Sequence, residues 1–304
     1  MIAGADMGEL AELACILEVT ARKPGNVHPG VTFEDTTFLD FLISAAAIRP
    51  ALENAPRAPL GETILDAVAR TRRRVARNTN LGLILALTPL AALGPREPRD
   101  GDVKPHGAAH DRIAGRLHAL LAATTRRDAE LLYEAIRLAQ PGGLGRVERA
   151  DVGDGPTGTL VEMMALAADR DLIARQYATS YRAVLDDGLP AFVAARSRGA
   201  DVEEATISAY LQLLAEHGDT LIERKCGEKI AAEARERAAR VLAAGWPRSA
   251  AGRRELHELD LWLRADGNRR NPGTCADLTA AVLFLALREG IITFPLESQP
   301  PTED

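Results

Sequence analysis

Four glycine-punctuated segments carry charged and amide side chains at the ends of helical stretches, where ligands and leaving groups are commonly met. The first, Glu18-Val19-Thr20-Ala21-Arg22-Lys23-Pro24-Gly25-Asn26-Val27-His28, closes an apolar-striped helix and opens a turn. Pro24-Gly25 stops the helix, and Lys23 either complements its C-terminal dipole or offers a cation to a ligand. In the second, Asn78-Thr79-Asn80-Leu81-Gly82 precedes the run LGLILALTPLAAL. A run apolar all round is a buried central helix, so its polar entrance lies near the core. Free N–H groups and a positive dipole there suit phosphate; the plainer alternative is an Asn/Thr cap. The third segment, Asp219 to Gly227, sets an acid, Asp219, and two bases, Arg224 and Lys225, around a turn. The fourth, Asn271-Pro272-Gly273-Thr274-Cys275-Ala276-Asp277, is a Pro-Gly turn that places Asp277 in the first turns of a helix. Acids at that position commonly stabilise the helix itself.

Other chemistries find no footing. The glycine-rich stretch 142–156 lacks the strand of a Rossmann fingerprint and the Lys-Ser/Thr of a P-loop. No HExxH, GxSxG or zinc spacing occurs. His106 and His110 have a ligand-like interval but flank a polar stretch read as a loop, which argues against a metal pair.

The elements that must position these segments are helical. Leu10, Leu13, Ile16 and Leu17 form one apolar stripe; Phe38, Phe41, Leu42 and Ala45 a second; Ile64, Val68, Thr71 and Val75 a third. The pattern returns around 112–122, 128–139, 160–185, 203–216, 228–243, 255–264 and 276–288. Strand-like alternation is nearly absent, and Ala, Leu, Arg and Glu dominate. The expectation is an all-α fold: one multi-helix domain over residues 1–304, a buried central helix and an active site between helices. Residues 94–107 read as a mobile loop or insertion and 295–304 as a flexible tail.

Composition narrows the function. The 304 residues are 46% hydrophobic and 26% charged, with a net charge of -6, so neither disorder nor a nucleic-acid coat is expected. Aromatics make up only 4%, too few for base-stacking platforms. No apolar run is long enough to span a membrane, and the N-terminus lacks the basic region of a signal peptide. Three cysteines without CxxC spacing fit a reducing compartment. A soluble cytoplasmic protein with small-molecule partners is expected, with no nucleic acid, no membrane, and a homodimer as an open expectation.

Taken in order, Glu18…Lys23-Pro24-Gly25, Asp35 and Ser44, Asn78-Thr79-x-x-Gly82, Asp219-Thr220 and Pro272-Gly273-x-x-Ala276-Asp277-Leu278 resemble the triphosphoribosyl-dephospho-CoA synthase family. The likeness extends over most of the chain. It implies an all-α transferase that uses ATP as a sugar donor: an acceptor hydroxyl attacks the ribosyl C1′, adenine leaves, and the triphosphate stays attached. The family's best-known product is a prosthetic-group precursor for acyl carrier proteins in citrate and malonate decarboxylation. By the same resemblance Glu18, Asp35 and Asp277 are the catalytic carboxylates, which is acid and which base being open. Lys23, Gly25, Asn78, Thr79, Asn80, Asp219, Arg224 and Lys225 would bind ATP and its phosphates, and Asp35 would hold Mg²⁺.

The chain departs from the family's pattern in three segments, the last being Arg224-Lys225-Cys226-Gly227 where His-Arg-Gly-Gly is usual. His28 stands where an acid is usual, and Asn80-Leu81 replaces His-Lys. Loss of that lysine implies altered handling of donor or acceptor, so the acceptors range from dephospho-CoA to another cofactor precursor such as a pterin-type ribitol. Two other readings use the same residues: an ATP- or nucleotide-hydrolysing all-α enzyme, or a non-catalytic nucleotide-binding module.

Overall fold

A computed structural model describes residues 5–34, 36–96, 106–140 and 151–294. Asp35, most of the 94–107 segment and the 295–304 tail lie outside them. The described residues form α1 (Met7–Thr20), α2 (Phe38–Asn54), α3 (Leu60–Arg72), α4 (Leu81–Ala92), α5 (His106–Ala122), α6 (Arg126–Ala139) and α7 (Leu160–Ala167). There follow α8 (Leu172–Ala178), α9 (Leu189–Ser197), α10 (Val202–His217), α11 (Thr220–Cys226), α12 (Glu228–Ala243), α13 (Ala250–Arg264) and α14 (Gly273–Arg288). A 3₁₀ turn at Ala55–Arg57 and a π-helical turn at Ala183–Gly188 complete the order, and no strand is present among the described residues. The fold is all-α.

Two helices form its axis. In α4 all but two residues are buried, as its uniform apolarity requires. In α14 the burial is as deep, from Thr274 through Cys275 and Ala276 and again from Leu278 to Arg288. The two pack on each other, with α1 and α10 against α14 and α3 against α4.

Pro89 sits inside α4 and has no N–H to give the carbonyl of Leu85. Two buried tyrosines repair the gap: Tyr177 donates to Leu85 O at 2.8 Å and Tyr181 to Ala86 O at 2.9 Å. Tyr181 reaches there from a left-handed backbone, φ 68°, shared with Ser180 at 53°. This turn is one reason the periodic stretch 160–185 is three elements and not one helix. The other is Asp171, whose carboxylate caps a new helix by accepting from Ile173 N and Ala174 N.

The structure also revises two local readings. Residues 220–226, read as a turn, are helix α11, because Asp219 caps it through Leu221 N and Ile222 N. His106 and His110 both lie in α5, not beside a loop. His110 Nε2 lies 2.7 Å from Asp186 Oδ1. Among the described residues no group of three or more His, Cys, Asp or Glu side chains is placed to hold a metal.

Candidate functional site

A cavity of about 1200 Å³ opens between α1, α4, α6, α7, α8, α11 and α14. It exceeds the roughly 300–1,000 Å³ of a single small-ligand pocket. Glu18, Asn78, Thr79, Asn80, Arg224, Lys225 and Asp277 all stand on its wall, from segments up to 259 residues apart in sequence (277 minus 18). Lys23, Gly25 and Asp219 stand behind that wall, and Asp35 lies outside the described residues.

Each group behind the wall has a local task. Lys23 is fully buried; its ammonium donates to the backbone oxygen of Glu18 and to Ala21 O, and pairs with Glu18 Oε1 at 2.9 Å. It thus closes the carbonyl end of α1 and neutralises the one carboxylate that α1 presents to the cavity. Gly25 has φ +74°, and a Cβ there would lie 2.8 Å from Leu263 Cβ, so α13 and this turn could not pack with any other residue. Gly25 N donates to Asp260 at 2.7 Å, and Tyr210 of α10 donates to Pro24 O at 2.7 Å. The Lys-Pro-Gly turn is therefore clamped by α10 and α13. Asp219 bridges two helices: besides capping α11 it accepts from Cys275 N of α14 at 2.8 Å. Burial raises its pKa, against the pull of those backbone donors.

The Asn78–Asn80 side chains serve the approach to α4. Asn78 accepts from Leu81 N at 3.0 Å, the hydroxyls of Thr79 and Ser44 meet at 2.5 Å, and buried Asn80 donates to Thr71 at 3.1 Å. The first turn of α4, Leu81 to Leu83, is left on the cavity wall. It is not alone there. Ile173 and Ala174 from the start of α8, Thr220 and Leu221 from α11, and Gly273 and Thr274 from α14 share the wall, so four helix N-termini open on one space. Thr220 ties three of them, accepting from Leu172 N at 3.2 Å and meeting Thr274 Oγ1 at 3.3 Å.

Asp277 leans over α4. A Cβ built on Gly82 would lie 1.9 Å from Asp277 Oδ2, so only glycine leaves room for the carboxyl. Burial pushes the Asp277 pKa well above the usual carboxylate range, and the charges of Glu18, Asp219 and Asp171 push the same way. Among the described residues no cation pairs with it. Gly82→Ala should displace this carboxyl and cut turnover by about 10²-fold, as a 1 Å misplacement can. Circular dichroism should still show a folded helical protein, alanine being the better helix former. An alanine variant with full activity would remove Asp277 from the chemistry.

At the opposite extreme of exposure stand the cations Arg224 and Lys225 of α11, with Arg170 and Arg269 on the same wall. Lys225 reaches Asn271 Oδ1 at 3.2 Å, and Arg269 donates to Lys225 O at 3.0 Å. Arg170, Asp171, Glu223 and Arg269 are cavity residues that reading the sequence missed. Arg269 had a signal, two residues before the Asn271-Pro272-Gly273 turn, whereas Asp171 had only its place before an apolar run. His28 is not on the wall; burial lowers its pKa, and Arg264 and Lys23 add to the effect.

The fold and cavity define the class first: an all-α protein with a large cleft between helices, bordered by buried carboxylates and exposed cations. Residues 4–293 match the family of ATP:dephospho-CoA triphosphoribosyl transferase (CitG), and the chain belongs to that family. A Pseudomonas putida protein described as a probable 2-(5''-triphosphoribosyl)-3'-dephosphocoenzyme-A synthase is 39% identical over 108 residues, 34% of this chain and 37% of its own length. A Pseudomonas fluorescens protein of the same description is 40% identical over 106 residues, 34% of this chain and 35% of that one. The chain thus matches about a third of the length of these curated relatives. A crystal structure from Archaeoglobus fulgidus, provisionally assigned as a triphosphoribosyl-dephospho-CoA synthase, superposes with a TM-score of 0.59 at 30% identity. That match covers 84% of this chain and 99% of the other. Among the described residues no helix is long and apolar enough to cross a membrane.

Proposed function

We propose that this chain transfers the triphosphoribosyl group of ATP to a hydroxyl of dephospho-CoA, with release of adenine. The observation that carries the reading is the convergence of the α4 N-terminus and the Arg224–Lys225 pair on one cavity that also holds Glu18 and Asp277. A helix N-terminus and cations attract a triphosphate, while paired carboxylates serve a ribosyl centre that develops oxocarbenium character.

The two carboxyls differ in the way acid and base must. Asp277, buried beside other acids and with no pairing cation among the described residues, keeps its proton and gives it to the departing purine. Glu18, paired with the Lys23 ammonium at 2.9 Å, steadies the ribosyl cation and takes the proton of the attacking hydroxyl. One proton is given and one taken, so the pair is restored by exchange between neighbouring carboxyls. In this reading Lys23 acts through Glu18, and Asn78, Thr79 and Asn80 act by fixing the α4 entrance.

Mg²⁺ belongs to the donor complex. An ion carried by a triphosphate asks for only one or two protein carboxylates; Asp35, by the resemblance, would hold it, and Glu34 of the cavity wall offers a second carboxylate. It would neutralise charge on the triphosphate.

The departures from the family's pattern bear on the acceptor. Leu81 is buried in the wall where a lysine is usual, so the triphosphate must rely on Arg224 and Lys225. Mass spectrometry after incubation with ATP, Mg²⁺ and either dephospho-CoA or a pterin-type ribitol tests the reading. A triphosphoribosyl adduct of dephospho-CoA is expected. An adduct of the ribitol alone would move the acceptor, and ADP or AMP without adduct would make the chain a hydrolase.

A further inference from the structure

Part of the cavity is apolar. Leu85 of α4, Leu132 and Ile136 of α6, Met163 and Met164 of α7 and Ile173 of α8 wall this lobe. Tyr133, Asp151 and Arg170 stand on the same wall, with Tyr133 within electrostatic reach of the other two. Gly153 N donates to Asp151 Oδ1 at 2.8 Å, which fixes that carboxylate at the end of its loop.

What such a lobe can hold follows from its backbone. The backbone groups of its walls are already engaged, within α6 and α7 by the helices themselves, at Ile173 N by the Asp171 carboxylate and at Leu85 O by the Tyr177 hydroxyl. A flexible chain rich in amides would bury them there unpaired, at a cost. A planar heteroaromatic base has apolar faces and needs partners only along one edge. Methionines adapt to such faces through a polarizable sulfur. Thr157 donates to Met163 Sδ at 3.7 Å, while among the described residues no hydrogen bond engages the Met164 sulfur.

We propose that this lobe takes the purine of the nucleotide donor and selects adenine, with Asp151 accepting from the exocyclic amino group. The donors beside it, Tyr133 and Arg170, serve the adjacent ring nitrogen. The 6-oxo base of inosine inverts both demands: it sets an acceptor against the carboxylate and a donor against the donors. A site built on one hydrogen-bond pattern rejects the reverse pattern strongly.

This assignment rests on ATP being the donor, and the test separates the two claims. Binding of ATP and ITP to the protein and to Asp151→Asn is measured by calorimetry, with adenine release followed in parallel. The unaltered protein should bind ATP at least about thirtyfold more tightly than ITP. In Asp151→Asn the ratio should fall below about threefold, with dephospho-CoA affinity unchanged, since asparagine still accepts from Gly153 N but also offers a donor. Met164→Arg should lose both nucleotides while retaining inorganic tripolyphosphate. Equal binding of ATP and ITP, an unchanged ratio in folded Asp151→Asn, or loss of dephospho-CoA binding alone in Met164→Arg overturns the assignment. ATP selectivity that depends on Asp151 without any adenine release would uphold the lobe and sink the transfer reaction.

Discussion

Asp277→Asn should reduce turnover by roughly 10²–10⁴-fold, the range for a lost general acid, while leaving the protein more stable at neutral pH. Both effects have one cause. Burial and neighbouring acids raise the folded-state pKa of Asp277 far above the unfolded value near 4. The folded chain holds this proton where the unfolded chain has released it, so the aspartate weakens folding increasingly as pH rises from about 4 to the raised value. Asparagine matches the protonated acid in shape and carries no such penalty. Urea titrations of the two proteins should coincide below pH 4 and separate above it, with the variant the more stable. The same proton predicts that wild-type turnover falls as pH rises through the raised pKa. A variant equally active, or less stable at pH 7, would mean that Asp277 is an ionised helix-terminal acid with no part in proton transfer.

Lys23→Met should cost about 3–5 kcal/mol of stability, as breaking a buried ion pair does. Reading the sequence places Lys23 at a helix exit, where substitution would be cheap. The structure shows it fully buried, with the Glu18 carboxylate as its partner, so methionine strands a charge in the interior. Removing both charges separates this from lost packing. Lys23→Met/Glu18→Gln should recover most of the stability of the single variant and none of its activity. Guanidinium unfolding of the three proteins is the measurement. A single variant as stable as wild type would contradict the buried pair.

The two central helices show how far the sequence carries. α4 is legible because LGLILALTPLAAL has no polar face, so no other placement satisfies it. α14 is partly hidden, since Thr274, Asp277 and Thr279 break the apolar run. Thr279 is satisfied inside by donating to Cys275 O, a bond that no periodicity reveals. Asp219 reads in the sequence as an acid beside a turn, and the helix it caps stays hidden, because seven residues are too few to show a period. At the site the turn-forming segments were found by their glycines and prolines, which mark backbone geometry. Which of their side chains face the cavity depends on packing between α1, α10, α13 and α14, and so Lys23 and Gly25 lie behind the wall. The apolar lobe has no motif at all: Leu132, Met163 and Ile173 are buried core residues, and only the folded arrangement of α6, α7 and α8 shows that the cavity reaches them.

The central claim is that bond breaking occurs at the ribosyl carbon and not within the triphosphate. ATP labelled in its purine, incubated with the protein, Mg²⁺ and dephospho-CoA, tests it by the fate of the label. Free labelled adenine should appear in equal amount with triphosphoribosylated dephospho-CoA, and the label should be absent from the acceptor. Labelled ADP or AMP in place of adenine, or label carried onto dephospho-CoA, would contradict the account.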